Sequence, residues 1–260
     1  MKRHFVVALT LALGAGACQR QAPPRVAVRV AAAADLRFAL NELTAAFRSA
    51  HPDVDVTVSY GSSGSFFAQL LNRAPFDVFL SADLNYPRQL ADRGLILPGT
   101  EFTYGIGRIV LWTLASSPID VTHGGMNALT DPRVRHVAIA NPEHAPYGRA
   151  AESALRSAGV YERVAPKLVF GENVSQALQF VQSGSAEVGL IALSLAVSPA
   201  VENDGRFLEI PLDSYPRIEQ GGAILSWASN ADAARLFRSF MMSGDARGVL
   251  KRYGFFPPGA

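Results

Sequence analysis

Short β-branched apolar runs alternate with helical patterns along most of this chain. That alternation restricts it to α/β architecture with parallel strands and right-handed crossovers. Residues 26–33 (VAVRVAAA) read as a buried strand, and Leu36, Ala39, Leu40, Leu43, Ala46 and Phe47 follow at helical spacing. Val54, Val56 and Val58 alternate with Asp55 and Thr57 as in a half-buried strand. A helical pattern in Phe66, Phe67, Leu70 and Leu71, a strand at 76–80 and a helix at 86–93 continue the cycle. It resumes with strands at 136–140, 167–170 and 187–193 and helices at 149–158 and 174–182. Asp35 stands where it would cap the helix that follows. Two short crossings, near 104–108 and 211–221, divide the chain into lobe one, residues 26–104 plus 217–260, and lobe two, residues 105–216. A single sheet running through the whole chain is the alternative that pattern alone leaves open.

The N-terminus carries an address. Met1-Lys2-Arg3-His4 is basic, Phe5 to Leu13 (FVVALTLAL) is apolar, and Gly14-Ala15-Gly16-Ala17 is small. This is the layout of a secretory signal peptide over residues 1–17, too short to span a bilayer. A cut after Ala17 leaves Cys18 first, as in bacterial lipoproteins, although Ala15 replaces a larger apolar residue. A lipid anchor at Cys18 and plain cleavage both fit. Residues 18–25 then form a polar tether, and the mature protein is expected to be exported to the periplasm.

Composition removes whole classes of function. The chain has 24 basic and 22 acidic residues, and leaving out Lys2 and Arg3 makes the two counts equal. No basic stripe offers itself to nucleic acid. One cysteine permits no internal disulfide and no thiolate cage, and the five histidines, at 4, 51, 123, 136 and 144, lack ligand spacing. Gly61-Ser62-Ser63-Gly64 does not match G-x-S-x-G, and no phosphate-binding glycine loop is present. No catalytic set assembles, so an enzyme is not expected.

What the chain does have is four strand-to-helix junctions of small and polar residues: Ala33-Ala34-Asp35, Gly61 to Ser65, Pro142 to Gly148, and Gly171 to Val174. Ligands of open parallel sheets bind beyond the carboxyl ends of the strands, where each following helix presents free N–H groups and a positive dipole end. Two junctions fall in each lobe, so closing the lobes gathers four helix N-termini around one point. The natural guest is an anion held by neutral donors. Ser63 adds a hydroxyl and Tyr147 a phenol.

In order and spacing, VAAAADL (30–36), YGSSG (60–64), FLSAD (79–83), NPEHAPYG (141–148) and KRYGF (251–255) resemble the periplasmic molybdate-binding proteins of ABC importers. The likeness runs from about Val26 to Phe256. It implies a two-lobed periplasmic-binding-protein clamp of type II-like α/β fold, each lobe a mostly parallel sheet flanked by helices. Such a clamp encloses molybdate, and by its chemistry tungstate, and delivers it to a membrane permease as a monomer. No cofactor is implied and no protein atom ligates the metal. Carried over by position, the oxyanion-binding residues are Ala34, Asp35, Ser63, Tyr147 and Val174.

Three departures from the pattern stand out. Ala34 offers only its amide where many relatives carry a side-chain donor. Ala192 stands where some carry a tyrosine, a phenol that Tyr147 can supply instead. Asp35 places a carboxylate beside a dianion, so its side chain is expected to turn back as a helix cap and present only its amide. The alternative is that Asp35 accepts a proton from a protonated oxyanion, which changes the specificity to another oxyanion or a small carboxylate. A third reading, an exported hydrolase, needs Ser63 paired with His144.

Overall fold

The computed structural model describes residues 25–259; the expected signal sequence, Cys18 and nearly all of the tether lie outside them. The strands are β1 (Val26–Ala33), β2 (Val54–Gly61), β3 (Val78–Ser81), β4 (Phe102–Gly107), β5 (Ile109–Leu114), β6 (Val137–Ala140), β7 (Leu168–Gly171), β8 (Val188–Ala192), β9 (Gly205–Glu209) and β10 (Ile218–Ile224). The helices are α1 (Arg37–Ala50), α2 (Ser63–Leu71), α3 (Asn85–Asp92), α4 (Val121–Gly124), α5 (Pro146–Ser157), α6 (Tyr161–Val164), α7 (Val174–Gln182), α8 (Leu193–Ala196), α9 (Ala231–Met241) and α10 (Gly244–Arg252).

Two sheets form, one in the order β2-β1-β3-β10-β4 and the other β7-β6-β8-β5-β9. In the first, β2, β1 and β3 are parallel, and β10 runs against both β3 and β4. In the second, β7, β6 and β8 are parallel, and β5 runs against both β8 and β9. One strand per sheet is therefore reversed, and chain connectivity explains which. Strands followed by a helix end at the cleft between the lobes. β5 and β10 are the strands by which the chain enters a lobe from the cleft, so they must run away from it. Sequence periodicity found β1–β3 and β6–β8 and missed β4, β5, β9 and β10. The sheet change after β4 falls at Arg108, and the return lies between Glu209 and Ile218.

Each sheet is covered on both faces, which is why its central strands are apolar throughout. In lobe one, α1 turns Ala39, Leu40, Leu43 and Phe47 inward against Val28, Val30, Val56 and Phe237, all buried. At about 1.5–3 kcal/mol for each large aliphatic or aromatic side chain fully buried, this stripe dominates the stability of the helix. Lobe two packs Ile109, Leu111, Trp112 and Ile139 against α5 and α7. Ala33, Ala34 and Ala82 of lobe one join that second cluster, so their small side chains let the lobes meet closely.

Two local expectations are corrected. The helix expected at 149–158 starts at Pro146, whose fixed φ suits the first helical position, and this brings Tyr147 into the first turn. Asp35 does not cap α1. Residues Ala34–Leu36 form a 3₁₀ turn without a side-chain cap, and the carboxyl bonds to Tyr147 and Gln220 instead.

Candidate functional site

Four junctions converge on a narrow cleft lined by Ala33, Ala34, Asp35, Gly61, Ser62, Ser63, Ala82, Ala145, Pro146, Tyr147, Asn173 and Val174. All five sequence-predicted residues, Ala34, Asp35, Ser63, Tyr147 and Val174, thus meet around one space. Capping chemistry sets which donors face it. Ser62 Oγ accepts from Ser65 N at 3.2 Å, and Asn173 Oδ1 accepts from Ser175 N and Gln176 N at 3.0 and 3.1 Å. These caps use the amides deeper in the first turn. The opening amides of Ser63 and Val174, and that of Tyr147, precede any intrahelical acceptor and find no other backbone partner among the described residues. Ser63 is fully buried, and its Oγ accepts the amide of Ala82 at 2.9 Å, so its own hydrogen is left for the cleft. Among the described residues, no lysine or arginine lines this space.

The lobes touch around the cleft. Gly64 N–H donates to the carbonyl of His144 at 2.9 Å, and Ser65 Oγ donates to Glu172 Oε1 at 2.8 Å. At the rim Arg149 Nη2 pairs with Asp83 Oδ2 at 2.7 Å. Gly64 is required here because a Cβ would stand 2.5 Å from the His144 carbonyl oxygen and 2.9 Å from Tyr86 Oη. Gly107 is required for a related reason: a Cβ there would collide with Tyr147 Oη.

Asp35 is the unusual member. It is 1% exposed. Its Oδ2 accepts from Tyr147 Oη at 2.9 Å and Gln220 Nε2 at 2.6 Å, while Oδ1 is buried with no partner among the described residues. Gln220 Oε1 accepts from Tyr104 Oη at 2.9 Å, and Ser194 Oγ donates to the Asp35 carbonyl at 2.8 Å. Burial pushes the Asp35 carboxyl up from 3.8 to about 6, against the bonds from Gln220 and Tyr147 and the weaker pull of the nearby backbone amides of Asp35 and Leu36, which lower it. Burial, with the Asp35 charge second, raises both the Tyr104 and Tyr147 phenols well above 10. The phenol of Tyr147 is therefore a neutral donor, and its hydrogen goes to Asp35.

The sequence pattern of the bacterial extracellular solute-binding proteins matches residues 28–256. The chain belongs to that family. Within it, the molybdate-binding protein ModA of Rhodobacter capsulatus is 38% identical over 200 residues, 77% of each chain. ModA of Azotobacter vinelandii is 36% identical over 249 residues, 95% of this chain and 96% of that one. The solved structure of the periplasmic molybdate-binding protein of A. vinelandii aligns with a TM-score of 0.83 at 33% identity, over 89% of this chain and 99% of that one. The two-lobed α/β clamp is thus shared with these solute-binding proteins.

Sequence reasoning missed Gln220, Tyr104 and Ser194, which hold Asp35 in place. Gln220 left one signal: a polar side chain within an apolar, glycine-rich stretch (IEQGGAI), which if buried must find partners. Ala192, at the end of β8, is fully buried and is not among the lining residues. The hydrolase pairing does not form. His144 Nε2 lies 3.1 Å from the carbonyl and 3.2 Å from Oε2 of Glu172, and no bond to Ser63 is made among the described residues.

Proposed function

We propose that this protein is the solute-binding component of an ABC importer and captures molybdate between its lobes. The observation that carries the reading is the convergence of four strand-to-helix junctions, two per lobe, on one small cleft that no basic side chain lines among the described residues. A compact oxyanion fits such a site because helix N-termini and hydroxyls offer many short hydrogen bonds. Each is worth about 1.5–3 kcal/mol to a charged oxygen, so five or six give tight binding without a fixed cation. We assign the amides of Ala34, Asp35, Ser63, Tyr147 and Val174 and the hydroxyl of Ser63 to the anion. Tungstate, equal in charge and shape, belongs to the same cargo class. The metal inside the oxyanion is cargo and meets no protein atom.

Closure follows from the same geometry. An anion touching both lobes stabilises the closed form by its differential affinity for it, and the permease then reads the closed outline. We further propose export through residues 1–17, maturation at or near Cys18, and action as a monomer. Calorimetric titration of the mature protein with molybdate, tungstate, sulfate and phosphate tests the function. Molybdate and tungstate are expected to bind; heat with phosphate or an organic acid alone overturns the reading. The mass of the mature N-terminus decides between lipidated Cys18 and plain cleavage.

A further inference from the structure

We propose that Asp35 joins the anion complex as a neutral carboxylic acid whose Oδ1–H donates to a ligand oxygen, so that each dianion is captured together with one proton. The inference rests on the functional reading above, in which the cargo is a fully deprotonated dianion.

The two carboxyl oxygens of Asp35 are not equivalent. Oδ2 is occupied, accepting from Tyr147 Oη and Gln220 Nε2. Oδ1 is buried, unpartnered, and belongs to a residue that lines the cleft. That asymmetry matches an acid in which Oδ2 is the carbonyl oxygen and Oδ1 carries the hydrogen. A hydrogen on Oδ1 turns an orphaned acceptor into one more donor of the kind that the cleft otherwise supplies. An ionised Asp35 would instead set a bare acceptor against an oxyanion that has only acceptors.

Among the described residues no cation pairs with it. From α5 and β4, Tyr147 and Tyr104 are neutral phenols, and from β10 Gln220 is an uncharged amide. From α8, Ser194 binds only the main-chain carbonyl. Arg37, at the start of α1, directs its guanidinium to the Tyr60 ring of β2, 5.3 Å from its centroid. Among the described residues, no lysine, arginine or histidine forms a hydrogen bond or ion pair with the Asp35 carboxyl. Protonation is nevertheless easy: with the carboxyl already at about 6, holding the proton at pH 7 reduces affinity by only about tenfold. A bound dianion raises the carboxyl further, so one proton is drawn from solvent on binding and returned on release.

The experiment titrates molybdate into the mature wild-type protein from about pH 5.5 to about pH 8.5, and repeats one pH in two buffers of different ionisation enthalpy. Affinity is expected to fall about tenfold for each pH unit above about 6, and the buffer dependence of the heat to report about one proton taken up. Asp35→Asn, whose amide is a donor at every pH, should bind with no slope and no proton uptake. If that variant fails to fold, the wild-type slope and proton count decide alone. Molybdate binding with a flat profile and no proton uptake overturns the role of Asp35 and leaves the functional reading intact. No molybdate binding at any pH overturns the functional reading. Binding of monohydrogen phosphate alone makes Asp35 an acceptor and overturns both.

Discussion

Removing the charge of Asp35 should stabilise the anion-free protein, and only above a defined pH. The carboxyl sits at about 6 in the folded chain against 3.8 when free in water. The folded state therefore holds this proton more tightly than the unfolded one. Stability is full below pH 3.8, declines as pH rises, and levels off above about 6. A displacement of about two pH units corresponds to about 3 kcal/mol. Asp35→Asn keeps the shape and lets an amide oxygen accept from Tyr147 and Gln220, but carries no charge at any pH. Urea unfolding of both proteins between about pH 4 and about pH 8 reads the difference. The two unfolding free energies should nearly coincide at pH 4 and differ by about 3 kcal/mol at pH 7, some 6–12 °C in Tm for a chain of this size. Oxyanions must be absent, because a ligand that binds only the folded state adds its own stabilisation. A gap independent of pH, or a wild type that gains on the variant as pH rises, refutes the reasoning.

Other substitutions separate binding from folding. Ser63→Ala removes the hydroxyl donor and leaves the Ala82 amide without its acceptor; molybdate affinity by calorimetry should fall roughly 10- to 150-fold, a loss of about 1.5–3 kcal/mol. Gly64→Ala places a Cβ 2.5 Å from the His144 carbonyl. The clash is relieved by opening the lobes, so affinity should drop about 5- to 150-fold, the equivalent of about 1–3 kcal/mol of overpacking, while the urea midpoint of the anion-free protein barely moves. Unchanged affinity would show that the contact between Gly64 and His144 is not made in the anion complex. Asp77→Ala leaves the Arg29 and Ser229 donors unpaired and should lower stability by about 3 kcal/mol with molybdate affinity intact below the melting range.

The parts of the fold legible in the sequence were those governed by local periodicity. Strands β1 and β2 and helices α1 and α7 read directly, because their apolar residues recur at the spacing of the faces they bury. β4, β5, β9 and β10 were not legible: their place depends on how the chain passes between lobes, a property of connectivity rather than of any local pattern. The site was legible wherever backbone chemistry makes it. Ser62 and Asn173 are ordinary N-caps, and the amides beside them face the cleft because capping leaves them over. Tyr147 and Asp35 were both found, but the bond between them was not, since it joins residues 112 positions apart.

Asp35 itself shows why a local rule failed. An acidic residue just ahead of a helix is ordinarily a cap, and that expectation rests on the first turn needing acceptors. Here a 3₁₀ turn intervenes between β1 and α1, rotating the side chain into the space between the lobes. A second buried aspartate shows what the protein does when it needs the charge. Asp77 is fully buried, yet the Arg29 guanidinium and amide and the Ser229 amide and hydroxyl overcome the effect of burial and hold its carboxyl below the usual range. Both of its oxygens are satisfied, and it joins β1 to the segment that leads into α9. Among the described residues Asp35 receives two hydrogen-bond donors on one oxygen, none on the other and no paired cation, so its carboxyl rises instead. The same chain thus supplies a complete donor shell for one buried carboxylate and withholds it from the other. The one left incomplete is the one that lines the cleft, where the missing partner is a ligand oxygen and a proton between them.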